Sequence, residues 1–138
     1  DHRGIPEAPG RVVTLVRVPG EITWGRAYRI RGADSAAVLE QLDIREQGGY
    51  DRLNISVYAH GGDVVTTDAL LYRATEDNPE FLGQADMNDM AKQIARSVGP
   101  SGTNIEYLLE LHLALERLNV QDPHIDALVS AVRSLENS

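Results

Sequence analysis

The sequence predicts one domain of mixed type, with a mainly β-rich first half and a helical second half. Its 138 residues are enough for one hydrophobic core but not for two. Hydrophobic residues make up 42% and charged residues 25%, as in ordinary soluble domains and unlike disordered, collagenous or coiled-coil chains. The spacing of the apolar residues changes from a mainly strand-like pattern before the Asp-Asn-Pro sequence at residues 77–79 to a helical pattern after it.

The first half begins with a predicted hairpin. Residues 11–18 and 22–31 are rich in Val, Ile, Thr, Tyr and Trp, which favour strands. Pro19 and Gly20 between them are turn-forming residues. We therefore expect two antiparallel strands here.

A short helix and a second hairpin are predicted next. The helix covers residues 34–46, with Asp34 or Ser35 as its cap, and Gly48-Gly49 ends it. Strands are predicted over residues 50–59 and 64–74, because the Gly-Gly pair between them supplies the positive φ angles of a tight hairpin.

Three helices are predicted in the second half. The first opens at Asp86, and its apolar face consists of Met87, Met90, Ala91, Ile94, Ala95 and Val98. Residues 103–106 form a capping-box sequence that starts the next helix, which runs to about Leu118. The last helix starts at Pro123 with Asp122 as its cap. Its apolar stripe consists of Ile125, Leu128, Val129, Val132 and Leu135.

Composition argues against several functional classes. The 13 basic and 21 acidic residues give a net charge of -8, the opposite of what a nucleic-acid backbone requires. Without cysteine the sequence has no disulfide, thiolate metal site or cysteine nucleophile, and its four histidines form no metal-binding pair. No apolar run approaches the roughly 20 residues of a membrane span. We expect no metal, nucleic-acid partner or membrane partner, and the cytoplasm is the expected compartment.

One carboxylate, Glu46, is a candidate catalytic group. Val38, Leu42 and Glu46 are spaced four residues apart, which places Glu46 on the apolar face of the predicted helix. The helix dipole disfavours an anion in the last turn, and desolvation acts the same way, so both should raise the pKa of Glu46. Such a glutamate suits general acid–base catalysis, and Gly48 and Gly49 beside it leave room for a substrate.

A structural role is the alternative for Glu46. Its side chain could point outward or pair with Arg45 or Arg52, because perturbed carboxylates also occur in structural ion pairs. Spacing alone does not decide between these roles.

Two polar residues, Asn104 and Tyr107, begin the apolar face of the third predicted helix. They lie next to a glycine-rich turn and a helix N-terminus, which can hold an anionic group. This arrangement makes both residues candidates for substrate binding. The alternative is a capping residue and a core tyrosine whose hydroxyl is satisfied within the protein.

Five separate strings then identify a family resemblance. They are PGRVVTL at residues 9–15, WGRAY at 24–28, LDIREQGGY at 42–50, DNPEFLG at 77–83 and GPSGTNIEYL at 99–108. In this order they resemble the ChaC family, the glutathione-specific γ-glutamylcyclotransferases. The resemblance covers nearly the whole chain.

The resemblance implies a fold, a reaction and a site. The fold is the α+β γ-glutamylcyclotransferase-like fold, a small mixed β-barrel with packed helices. The reaction converts glutathione to 5-oxoproline and cysteinylglycine without a cofactor, and Glu46 corresponds to the catalytic acid–base glutamate. The implied substrate-binding residues are Gly48, Gly49, Tyr50, Asn104 and Tyr107.

The chain differs from the family at its beginning. The first strand and the Tyr-Gly-Ser-Leu loop, which in the family holds the γ-glutamyl group, do not appear in this sequence. We therefore expect an unpaired strand edge that favours self-association. Two alternatives stay open: a non-catalytic interaction protein of the same fold, or a cyclotransferase for other γ-glutamyl compounds.

Adding the family's N-terminal segment should raise both melting temperature and activity, because it would pair the open strand edge and supply the substrate loop. Thermal unfolding and turnover of the two forms test this. Equal turnover of glutathione by the 138-residue chain would contradict it.

Overall fold

The computed structural model describes residues 2–45, 50–75, 77–78 and 81–137, which form two compact units. The hairpin unit comprises Thr14–Ile22 and Arg26–Phe81. The helical unit comprises Asp1–Val13, Thr23–Gly25 and Leu82–Ser138.

The described residues of the hairpin unit form one helix and one antiparallel hairpin. Helix α1 covers Ser35–Arg45, strand β1 Tyr50–Tyr58 and strand β2 Val64–Ala74. The strand register runs from Tyr50 opposite Ala74 to Tyr58 opposite Val64, with irregularities between Ile55 and Tyr58. The predicted second hairpin is confirmed, and the predicted helix is confirmed as far as Arg45.

In the part of the helical unit that the structure describes there are three helices, each with the predicted cap. Helix α2 covers Met87–Arg96, α3 Asn104–Arg117 and α4 Pro123–Glu136. Between α2 and α3 lie the two-residue strands β3, Val98–Gly99, and β4, Gly102–Thr103. Side chains of Asp86, Thr103 and Asp122 accept hydrogen bonds from backbone N–H groups in the first turns of α2, α3 and α4. The capping sequences therefore fix where these helices begin.

The apolar core described by the structure lies between α2, α3 and α4. Its buried members are Met90, Ala91, Ile94, Leu108, Ile125, Leu128, Val129 and Val132. Two residues assigned to the apolar faces are instead exposed. Val98 is 56% exposed because α2 ends at Arg96, and Leu135 is 40% exposed in the last turn of α4.

The first predicted hairpin is wrong, because the structure assigns no strand to residues 11–31. The turn at residues 19–20 does form, since the N–H of Glu21 donates to the carbonyl of Val18 over 3.2 Å. The N–H groups of Arg11 and Val13, however, donate to side chains of α3 rather than to a neighbouring strand. Strand-forming residues make a stable strand only when a partner pairs with them and covers one face.

The α+β class is confirmed, but the strands of the described residues do not close into a barrel. They form two separate two-stranded sheets, β1 with β2 and β3 with β4. Self-association through a strand edge stays a prediction. Within the same part of the chain, none of the helices has the length and apolar character that crossing a membrane requires.

Candidate functional site

The structure describes the residues on either side of the segment that is expected to carry the catalytic glutamate. Glu46, Gly48 and Gly49 lie outside the described residues. Arg45 is the last residue of α1 and Tyr50 the first residue of β1. Tyr50 is exposed and pairs in the register with Ala74. The roles predicted for these residues stay predictions.

Asp43 joins α1 to both strands of the hairpin. Its Oδ2 accepts a hydrogen bond from Nη1 of Arg52 over 3.3 Å, and its Oδ1 accepts one from the hydroxyl of Tyr72. Arg52 and Tyr72 lie directly opposite each other in the β1–β2 register. Each oxygen of the carboxylate therefore has its own donor on a different strand.

Sequence reasoning missed Asp43 and considered Arg52 only as a partner of Glu46. The feature of the sequence that could have pointed to Asp43 is its position inside the string LDIREQGGY. Its partner Tyr72 lies 29 residues away along the chain, and only strand pairing brings that residue opposite Arg52.

An ion pair holds the start of the β1–β2 ladder next to these residues. Nη2 of Arg73 donates to Oδ2 of Asp51 over 3.1 Å, and the two residues face each other in the register. Cross-strand pairs of opposite charge stabilise sheets modestly. This pair therefore helps to hold the start of β1, where Tyr50 directly precedes Asp51.

In the helical unit, Asn104 binds the backbone of Arg11. Its Oδ1 accepts from the N–H of Arg11 and its Nδ2 donates to the carbonyl of Arg11, both over 2.6 Å. The side chain of Asn104 is completely buried. It therefore takes the place that a peptide group of a neighbouring strand would occupy.

Tyr107, one turn further along α3, contacts the same segment. Its hydroxyl accepts a hydrogen bond from the N–H of Val13 over 3.1 Å. Burial raises the pKa of the Tyr107 hydroxyl, while the bond from Val13 and the charge of Arg3 act in the opposite direction. The hydroxyl therefore keeps its proton at neutral pH and can donate it.

Arg3, which sequence reasoning did not select, lies against the start of α3. Its guanidinium is 5.7 Å from the centre of the Tyr107 ring, a cation–π distance. Its Nη1 donates to Oε2 of Glu106 over 2.8 Å and to the carbonyl of Thr103 over 3.2 Å. The carboxylate expected to complete the capping box thus receives a hydrogen bond from Arg3.

Arg11 is a second arginine that sequence reasoning missed. Its Nε donates to Oε1 of Gln93 over 2.8 Å and its Nη1 to the carbonyl of Gly83 over 3.1 Å. Burial lowers the pKa of this guanidinium. The only nearby feature of the sequence that could have pointed to Arg11 is its position directly after Pro9 and Gly10.

The N-terminal segment, residues 2–13, also passes close to the turn before α3. The N–H of Ser101 donates to the carbonyl of His2 over 2.9 Å. A Cβ atom on Gly99 would lie 2.4 Å from the nitrogen of Gly4 and 2.5 Å from the oxygen of His2. Only glycine fits at this approach of two backbones.

Comparison with known proteins gives consistent family and fold matches. The family model described as "ChaC-like protein" matches residues 1–135. A "Glutathione-specific gamma-glutamylcyclotransferase 1" from Danio rerio is 40% identical over 135 residues, covering 95% of this chain and 69% of that protein. The protein of the same name from Homo sapiens is 40% identical over 138 residues, covering 97% of this chain and 62% of the relative.

A solved structure has the same fold. The crystal structure of a γ-glutamyl cyclotransferase specific to glutathione from yeast matches with a TM-score of 0.75 and 27% identity, covering 98% of this chain and 82% of that one. The chain thus spans between 62% and 69% of the length of the vertebrate relatives compared.

Proposed function

This chain belongs to the ChaC-like family, and from that premise we propose that it is a γ-glutamylcyclotransferase that acts on glutathione. The observation that carries the proposal is the 40% identity to glutathione-specific cyclotransferases over 95% and 97% of the chain. The match to the yeast structure, with a TM-score of 0.75, supports the same function. The cytoplasm is the proposed compartment, because it holds a reduced glutathione pool.

The proposed reaction is an internal cyclisation. The α-amino nitrogen of the γ-glutamyl group attacks the γ-carbonyl carbon, forming the ring bond of 5-oxoproline. The bond from that carbon to the cysteine nitrogen breaks, and cysteinylglycine leaves. Because the nucleophile belongs to the substrate, the protein supplies orientation and proton transfer rather than a nucleophilic side chain.

Glu46 is the proposed acid–base group. Its carboxylate takes a proton from the attacking amine and then returns one to the departing cysteine nitrogen, so that no proton is gained or lost overall. Gly48, Gly49 and Tyr50 follow Glu46 in the sequence and are proposed to contact the substrate beside it. Hydrogen-bond donors around the carbonyl would stabilise the negative charge that develops on its oxygen.

Tyr107 and Asn104 are given different roles in substrate binding. The hydroxyl oxygen of Tyr107 accepts a hydrogen bond from the N–H of Val13. The hydroxyl proton of Tyr107 can therefore be donated to a substrate oxygen. Both polar groups of the Asn104 side chain are already bound to Arg11. We therefore propose that Asn104 contributes indirectly, by holding the backbone next to Tyr107.

The proposed substrate can be tested directly. The full-length protein is incubated with glutathione or with a simple γ-glutamyl amino acid, and 5-oxoproline is measured by mass spectrometry. We expect kcat/KM to be at least about tenfold higher for glutathione, since a site that binds the Cys-Gly part leaves its polar groups unpaired when that part is missing. Comparable values would contradict glutathione specificity, and no 5-oxoproline from either substrate would contradict the activity itself.

A further inference from the structure

We propose that Asp43 is a positioning residue that, together with Arg52 and Tyr72, fixes both ends of the segment carrying Glu46. These three residues are called the Asp43 cluster below. The inference rests on the proposed function, because it gives the cluster a role in the reaction assigned to Glu46.

The position of the cluster along the chain suggests this role. Asp43 lies in the last turn of α1, two residues before its end at Arg45. Arg52 lies two residues after the start of β1 at Tyr50. The bond between Asp43 and Arg52 joins residues only nine apart in sequence and closes the chain on both sides of residues 46–49. One carboxylate therefore links the end of α1 to the start of β1, the two elements that flank residues 46–49 in the sequence.

The two residues that donate to Asp43 are held at a fixed spacing by the pairing of β1 with β2. Arg52 and Tyr72 face each other in the antiparallel register. Side chains of such a pair project from the same face of a hairpin with their Cβ atoms roughly 5 Å apart. One donor for each oxygen restrains rotation of the carboxylate as well as its distance from the hairpin, so the cluster limits how α1 can turn relative to β1 and β2.

The cluster is too exposed to be important mainly for stability. The side chains of Arg52 and Asp43 are 50% and 46% exposed, and such ion pairs contribute about 0–1 kcal/mol. Catalytic geometry is far more sensitive, because a displacement of about 1 Å at a reacting group can cost about 100-fold in rate. A positioning role thus predicts a large effect on turnover with a small effect on unfolding.

The test compares Asp43→Asn, Tyr72→Phe and a control in the full-length protein. Asp43→Asn keeps the size of the side chain but loses its charge and one of its two acceptor oxygens, while Tyr72→Phe removes only the hydroxyl. Asp68→Asn is the control, because Asp68 is a carboxylate on β2 that binds Asn54 of β1 and has no described bond to α1. Steady-state kinetics, melting temperature and backbone hydrogen exchange of residues 44, 45, 50 and 51 are measured for each.

We expect Asp43→Asn to lower kcat by about 10- to 100-fold with little change in KM. Tyr72→Phe should cause a smaller loss in the same direction, and Asp68→Asn should cause none. Exchange of residues 44, 45, 50 and 51 should become faster in Asp43→Asn but not in the control. An unchanged kcat in Asp43→Asn, a rise in KM alone, or an equal loss of kcat in Asp68→Asn would overturn the proposal.

Failure of the proposed function would look different. A wild-type protein that forms no 5-oxoproline would overturn the cyclotransferase assignment, and with it the catalytic part of this inference. The exchange measurement would still decide the structural part. Faster exchange confined to residues 44, 45, 50 and 51 in Asp43→Asn would show that the Asp43 cluster restrains the end of α1 and the start of β1, and unchanged exchange would show that it does not.

Discussion

Glu46→Gln is expected to lower kcat for glutathione by about 10²- to 10⁴-fold in the full-length protein, the usual contribution of a general acid–base group. Glutamine keeps the size of the side chain and most of its hydrogen-bonding geometry, but it cannot accept and return a proton. The KM for glutathione should change much less than kcat, because the lost step is proton transfer rather than binding.

Thermal unfolding separates this role from a structural one. Removing a desolvated charge without a strong partner costs little, whereas breaking a buried ion pair costs about 3–5 kcal/mol. We therefore expect Glu46→Gln to melt close to the wild-type temperature. Near-normal turnover with a much lower melting temperature would identify Glu46 as a structural ion-pair residue.

Glu40→Gln is the matched control for this experiment. Glu40 lies on the same helix, α1, and its side chain is exposed. The substitution makes the same chemical change outside the string LDIREQGGY. Both kcat and melting temperature should stay near the wild-type values, since exposed substitutions of this kind usually change stability by less than about 0.5 kcal/mol.

The helices of the helical unit could be predicted because their signals are local. Asp86, Thr103 and Asp122 each accept a bond from an N–H two or three residues further along, so a short stretch of sequence determines where the helix begins. The apolar spacing then identifies the buried face, as for Met90 and Ile94 in α2. Neither signal depends on a distant part of the chain.

The segment over residues 11–31 shows where local signals fail. Its composition favours strands, yet strand formation depends on a partner that the segment's own sequence does not contain. In the structure the N–H of Arg11 is bound by a side chain 93 residues away. No pattern of neighbouring residues could have predicted that contact.

Within the candidate site, the sequence selects Glu46, whose role stays a prediction, but it does not select Asp43. Glu46 was selected by its helical spacing and by the family resemblance, both of which can be read in the sequence. Asp43 was missed because its contacts depend on the exact register that places Tyr72 opposite Arg52. A shift of one residue would turn Tyr72 to the other face of the hairpin.

Asn104→Ala is expected to lower the free energy of unfolding by about 2–6 kcal/mol, because it leaves the N–H and the carbonyl of Arg11 without their partners. Unpaired groups of this kind cost about 1–3 kcal/mol each when they stay buried. The side chain of Asn104 is completely buried, so the two bonds it makes to Arg11 are shielded from water on its side. Urea unfolding of the full-length protein measures the loss, and hydrogen exchange should become faster mainly in residues 9–13.

Asn88→Ala is the control, because Asn88 lies exposed in the first turn of α2 and the same truncation there removes no buried hydrogen bond. Its effect should stay within about 0.5 kcal/mol. The comparison also distinguishes the two roles considered for Asn104. If Asn104 binds glutathione directly, its truncation should raise KM and leave the free energy of unfolding unchanged. If Asn104 instead holds the backbone of Arg11, its truncation should lower the free energy of unfolding. Unchanged unfolding with a raised KM would therefore contradict the role proposed for Asn104 and return it to the set of direct substrate contacts.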